Sequence, residues 1–216
     1  MNDANLPRGV KRMLWNLNVN VAHDVHPLWR ERSNRAPGTP CVSRAETFSM
    51  RLIEQHRLGF VSTALWDDEL GRIALLDATD LRRLARLGSA VAMRESIRLC
   101  VLGNDVRHCT RVLGRDLVDR VLALPCSVDA VPLGRLNGTG MTQPLPLRLL
   151  RFQRRILRAL CDCLPDSAAR RVRLKFRPGY FKHAEPVDDA RKYAKVVLAM
   201  HEHADLSARA KCILGY

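Results

Sequence analysis

Aromatic side chains are scarce: 3 Trp, 3 Tyr and 5 Phe in 216 residues. A core cannot rest on rings here and must be built from Leu, Val, Ile and Ala, which suits packed helices. Long apolar runs are missing too. No stretch approaches the roughly 20 apolar residues that a membrane-spanning helix needs. The start, Met1 to Arg8, has no basic segment followed by an apolar run, so no signal peptide is expected. The 7 cysteines are odd in number and their spacing forms no disulfide framework. Several sit inside apolar helical patterns, where Cys behaves as a small hydrophobe, and a reducing, cytoplasmic setting is the simplest expectation.

Catalytic and nucleotide signatures are also absent. The chain has no Gly-x-x-x-x-Gly-Lys-Ser/Thr, no Gly-x-Gly-x-x-Gly and no Gly-x-Ser-x-Gly. Gly138-Thr139-Gly140 has no apolar strand before it, and Asp67-Asp68-Glu69 lacks the ligand alternation of a calcium loop. These gaps point away from an enzyme and from a cofactor; none is expected.

What is present is a large apolar fraction and a strong positive excess. Hydrophobic residues make up 47% of the chain, enough for a sizeable core. Lys and Arg outnumber Asp and Glu by 36 to 22, for a net charge of +14. Such a balance speaks about partners: nucleic acid, an anionic membrane surface or an acidic protein.

The patterning predicts a mainly α protein, a single helical domain over 1–216 formed as a bundle of short helices. Residues 1–42 read as an irregular arm. Within it Leu17, Val19 and Val21 alternate with Asn16, Asn18 and Asn20, the period of one short half-buried strand. A breaker-rich stretch runs from Asn34 to Pro40. Ser43-Arg44-Ala45-Glu46 has capping-box spacing and should open a helix to about Arg57, stopped at Gly59. The first helical half, 43–124, continues as short helices punctuated by Gly88, Gly103 and Gly114. Leu81, Leu84 and Ala85 face inward in the first of these. Met93, Ile97, Cys100 and Val101 mark the next. Val106, Cys109 and Leu113 come after them, with Asn104 as cap, then Leu117, Val118, Val121 and Leu122. Residues 125–146 are rich in Pro and Gly and read as a loop.

The second half, 147–216, is basic. Leu149, Leu150, Phe152, Ile156, Leu157 and Leu160 occupy one side of its first helix, and Arg148, Arg151, Arg154, Arg155 and Arg158 the other. A short segment from Pro165 carries Arg170-Arg171-Val172-Arg173-Leu174-Lys175-Phe176. Pro186 should begin a further helix, with His201 on its apolar face and His203 on its solvent face; Asp205 or Ser207 starts a last turn. Residues 148–177 hold ten Arg or Lys against Asp162 and Asp166 alone. Successive segments of one sign repel unless shielded. Arg148, Arg151, Arg154, Arg155 and Arg158 are therefore candidate contacts for an acidic partner surface. DNA is a poorer fit, since no helix-turn-helix pattern is present and stacking aromatics are few. Cys161-Asp162-Cys163 and His201-Glu202-His203 invite a zinc reading. Residues two apart on a helix point to nearly opposite sides, so packing roles are expected and no metal. His23 and His26 have no carboxylate-and-histidine cluster beside them, and local structural roles are expected.

Several of these pieces, in order, resemble the SctK family, the accessory proteins of the type III secretion sorting platform, with the version from plant-associated bacteria most alike. Trp15-Asn16 followed by His26-Pro27-Leu28-Trp29 is similar to the family's aromatic-Asn and His-Pro-x-Trp stretch. Arg72-Ile73-Ala74-Leu75-Leu76, Leu81-Arg82-Arg83-Leu84 and Leu87-Gly88 resemble its central block. Val106-Arg107 and Val112 to Leu117 resemble the continuation of that block, and Arg170 to Phe176 a late basic-apolar segment of the family. Asp77 departs from the pattern, which has proline there, and the last forty residues match nothing in it. The resemblance implies a mainly helical, non-enzymatic adaptor at the cytoplasmic face of the bacterial inner membrane. It would link the cytoplasmic domain of the inner-membrane ring protein to the pod, or C-ring, protein, and would meet the membrane only through those partners. A basic nucleic-acid-binding regulator is the alternative carried by charge, and a small metalloenzyme the one carried by Cys161, Cys163, His201 and His203.

Overall fold

The computed structural model describes residues 6–35, 45–100, 103–124 and 143–215. Among them the fold is mainly α, with no strand. The helices are α1 (Arg8–Asn18), α2 (Pro27–Arg35), α3 (Ala45–Gln55), α4 (Ala78–Ala92), α5 (Arg94–Arg98), α6 (Gly103–Leu113), α7 (Arg115–Ala123), α8 (Leu145–Asp162), α9 (Asp166–Leu174), α10 (Ala190–Ala199) and α11 (Ala208–Leu214). Short 3-10 turns join several of them. No helix among the described residues is long and apolar enough to cross a membrane. The chain divides into two compact units, each discontinuous in sequence: residues 1–78 with 161–183, and 79–160 with 184–216. Neither matches the consecutive halves that the sequence pattern suggests. Ser43, the Asn34–Pro40 stretch beyond Arg35, Val101, Gly138-Thr139-Gly140 and most of the 125–146 loop lie outside the described residues.

In the first unit the expected irregular arm is mostly helical over its described residues, 6–35. Val10, Leu14 and Leu17 are buried in α1, and Val21 continues their spacing in a 3-10 turn, Val21–His23. The strand reading fails at Val19. A half-buried strand would put Leu17, Val19 and Val21 on one face, yet Val19 is 43% exposed while the other two are buried. The alternation with asparagine is a by-product of a 3.6-residue stripe. Asn18 is used for backbone repair: its amide donates to the Val61 carbonyl at 3.0 Å and accepts from the Val61 N–H at 2.8 Å.

α3 ends by a different device from the one expected. Arg57 itself takes the left-handed conformation, φ 48°. Its N–H donates to the Glu54 carbonyl at 3.1 Å, and the Leu58 N–H donates to the Ile53 carbonyl at 2.9 Å. This is the paired closure of a helix C-terminus that glycine usually makes. Val21, Phe48, Leu52, Leu58 and Leu174 form the core of this unit, with Trp29 and Ile53 against it. All three tryptophans and four of the five phenylalanines lie in this first unit, though not all of them in its core. The His26 N–H donates to the Leu174 carbonyl at 3.0 Å and Trp29 Nε1 to the Phe176 carbonyl at 2.8 Å, so the segment around α2 is tied to α9.

The second unit is built on α4, most of whose side chains are buried. Gly88 does not end this helix, as its sequence position suggested. It lies inside it, where a Cβ would stand 2.8 Å from Ile156 Cδ1 of α8 and 2.9 Å from Val197 Cγ2 of α10. Glycine is there so that three helices can approach closely. Met93 marks the break between α4 and α5, and Gly103 opens α6 instead of closing a helix. Gly114 does separate α6 from α7, at φ 88°. Cys109 and Leu113 are buried as expected, but Val106 is 45% exposed and Leu150 of α8 is 42% exposed. α10 begins later than Pro186, at Ala190, because the Asp189 side chain accepts from the Lys192 N–H and caps it. His201 and His203 fall in a 3-10 turn beyond it. Asp80, buried near the start of α4, accepts from the Ser207 N–H at 3.0 Å, the Ser207 hydroxyl at 2.6 Å and Arg83 at 3.2 Å. Ser207 in turn caps α11.

Candidate functional site

The basic stripe separates into groups with different fates. On α8, Arg151 is exposed, and Arg148 and Arg154 are half-buried. Arg155 is 17% exposed, sits 5.8 Å over the Phe152 ring and reaches Glu185 at 3.4 Å. Arg158 donates to the Ala184 carbonyl. The five candidates therefore do not form one outward face: Arg155 and Arg158 turn back onto the Ala184-Glu185 segment of their own unit. The apolar side of α8 is buried at Leu149, Phe152, Ile156, Leu157 and Leu160.

In the first unit the second basic segment divides more sharply. Arg170 and Arg173 are exposed, paired with Asp166 at 3.0 Å and Asp162 at 2.6 Å. Arg171 and Lys175 are each only 3% exposed. Arg171 donates to the carbonyls of Leu17 at 2.6 Å, Gly59 at 2.6 Å and Ser167 at 3.0 Å. Lys175 donates to the carbonyls of Ala74 at 2.9 Å and Leu76 at 2.5 Å, with Asp24 at 4.0 Å. The carbonyls of Leu17, Ala74 and Leu76 sit at the ends of helical segments and that of Gly59 in a loop, where buried acceptors need donors. Two cations that looked like surface charge are struts between α9, the end of α1 and the loops of residues 59 and 74–76.

The metal candidates are dispersed. Cys161 is buried, and burial pushes its thiol up to about 12. It and Cys163 belong to the first unit, while His201 and His203 belong to the second. His201 Nδ1 lies 2.8 Å from the Leu198 carbonyl. Among the described residues no group of three or more His, Cys, Asp or Glu could hold a metal ion. His23 pairs with Asp24 at 2.7 Å, and His26 Nδ1 accepts from the Leu28 N–H at 3.3 Å in the first turn of α2.

A different surface stands out, which charge counting missed. Trp15 is 60% exposed and Phe60 is 77% exposed, in a chain with few aromatics to spare. Trp15 and Val19 lie four residues apart on the side of α1 opposite Val10, Leu14 and Leu17. The Asn18 clamp fixes Val61, the chain neighbour of Phe60, at the last turn of α1. Arg8, Lys11 and Arg12 are exposed on the same helix. The signal was legible: a helical wheel over 8–18 sets Trp15 against the buried stripe, but only once the segment is read as helix.

No protein-family model, no curated protein and no solved structure matches the chain.

Proposed function

We propose that this chain is a non-enzymatic adaptor of the SctK type in a bacterial type III secretion system, joining the cytoplasmic domain of the inner-membrane ring protein to the pod protein of the sorting platform. The observation that carries this reading is the exposed Trp15–Val19–Phe60 surface with its basic neighbours on α1. Exposed aromatics flanked by Arg are the composition of protein-binding hot spots, because they contribute large contact area at little conformational cost. The Asn18–Val61 clamp holds the surface in one shape before binding. A second support is internal. Stretches that carry the resemblance, at His26–Trp29, Arg72–Leu76 and Arg170–Phe176, interlock by hydrogen bonds within one unit. Residues that recur in order for a structural reason would behave in this way. In this reading the protein works at the cytoplasmic face of the inner membrane and reaches the membrane through its partners.

The test is a binding titration of the whole chain against the pod protein and against the ring protein's cytoplasmic domain. Trp15→Ala with Phe60→Ala should weaken binding to at least one of them by about 30-fold, the size of a hot-spot loss of about 2 kcal/mol. Both side chains are exposed, so folding should be unaffected. Failure of the folded chain to bind either protein, with tight, steeply salt-dependent binding to duplex DNA instead, would replace the adaptor by a nucleic-acid-binding regulator.

A further inference from the structure

The second unit contains a polar cavity of about 300 Å³. Four arginines line it: Arg83 and Arg86 from α4, Arg115 and Arg120 from α7. Two carboxylates, Asp116 and Asp205, line it as well, so positive charge is in excess. Two of the arginines are engaged elsewhere. Arg83 donates to Asp80 at 3.2 Å, and Arg115 lies 3.9 Å from Asp119 on the exposed side of α7. Arg86 and Arg120 have no ion pair among the described residues, and Arg86 Nε is buried without a hydrogen-bond partner. A buried guanidinium N–H left unpaired is costly, and such groups mark places where a missing acceptor belongs.

The backbone adds donors of its own. Gly114 turns the chain at φ 88° and starts α7 with no side-chain cap. A Cβ there would meet nothing within 4 Å, so it is the backbone angle that calls for glycine. The opening of α7 therefore presents uncapped N–H groups at Arg115, Asp116 and Leu117, residues that all line the cavity. The helix dipole favours an anion at the same point.

We infer that this cavity is an oxyanion site, built for a phosphate group. A carboxylate brings one negative charge and two acceptor oxygens, and Asp116 and Asp205 already supply groups of that kind. A phosphate monoester brings nearly two charges and three acceptor oxygens, enough for the forks of Arg86 and Arg120 together with the α7 N–H groups. The volume lies at the lower end of ligand pockets, which suits a phosphate carried on a small molecule or on a side chain. The site stands on its own residues and does not depend on the adaptor reading.

The experiment is calorimetric titration of the whole chain, at matched ionic strength, with inorganic phosphate, pyrophosphate and a phosphoserine peptide beside its unphosphorylated form. Saturable binding of at least one phosphate probe is expected. It should weaken tenfold or more in both Arg86→Gln and Arg120→Gln and be unchanged in Arg82→Gln, an exposed arginine of α4 outside the cavity. Arg120 is exposed, so its variant stays folded even where the Arg86 variant does not. Binding should also strengthen from pH 5 to pH 7 as the phosphate passes its second pKa of about 6. Preference for the peptide assigns the phosphate to a partner's side chain; preference for inorganic phosphate or pyrophosphate assigns it to a small molecule. No binding of any probe, or equal binding by wild type and Arg120→Gln, overturns the site.

Discussion

Arg171→Met should destabilise the protein far more than the same change one residue earlier. The Arg171 guanidinium, 3% exposed, joins three stretches of chain through the carbonyls of Leu17, Gly59 and Ser167. A hydrogen bond from a charged donor contributes about 1.5–3 kcal/mol. The bond to Ser167 lies within one turn of α9 and adds little; the two long-range bonds together are worth about 3–6 kcal/mol on the same scale. Methionine keeps the apolar stem and removes the charge, which recovers part of the guanidinium's desolvation cost and leaves a net loss of about 2–4 kcal/mol. Against a total stability of about 5–15 kcal/mol for a folded domain, that shift is large. Urea unfolding followed by circular dichroism measures it, with Arg170→Met as control. Arg170 is solvent-facing and paired with Asp166, so its loss should stay within about 0.5 kcal/mol. Arg171→Lys should fall between, since one ammonium cannot span both the Leu17 and Gly59 carbonyls. Equal midpoints for the Arg170 and Arg171 variants would mean that the buried bonds contribute nothing and that the strut description is wrong.

Gly88→Leu should lower stability by about 1–3 kcal/mol or more through overpacking, because even a Cβ stands 2.8 Å from Ile156 Cδ1 and 2.9 Å from Val197 Cγ2; an unchanged melting temperature would show that α8 and α10 give way freely. His56 has its pKa lowered from 6.5 by burial, so the unfolded chain binds the proton more tightly. Its contribution to stability is full above pH 6.5 and is lost as pH falls through the lower folded value. His56→Gln should flatten the pH dependence of unfolding on the acid side of pH 6.5, and identical profiles for variant and wild type would contradict this. Cys161 is buried with its thiol pushed up to about 12, whereas Cys212 is exposed. Alkylation at pH 8 with mass mapping should therefore mark Cys212 in minutes and Cys161 only on unfolding, and comparable rates would refute the burial.

The helical class was legible because it rests on period and composition. Leu81, Leu84 and Ala85, and Leu149, Phe152, Ile156 and Leu160, repeat at 3.6 residues, and all are buried. The first forty residues mislead where two periods overlap. Leu17 and Val21 satisfy both a strand and a helix, and only the exposure of Val19 separates them. The ends of helices are hidden for a related reason. Glycine is a strong sign of a stop, but Gly88 answers to α8 and α10, neither adjacent in sequence, and the stop at Arg57 is made by a residue with no preference for it.

The candidate site was less legible than the fold. Sequence by itself determined that the chain is mainly helical, that its core is mostly aliphatic and that basic residues cluster over 148–177, since those are matters of residue type and spacing along one stretch of chain. Which cations meet solvent was decided by tertiary structure alone. Arg170 and Arg171 are adjacent and chemically identical, yet one is exposed beside Asp166 and the other is closed in among the carbonyls of Leu17 and Gly59. The same holds for Arg83, Arg86, Arg115 and Arg120, which come together around one cavity from two helices. Charge can be counted from a sequence, but its screening depends on which acceptors folding brings within about 3 Å, and those acceptors are mostly backbone carbonyls that every residue carries alike.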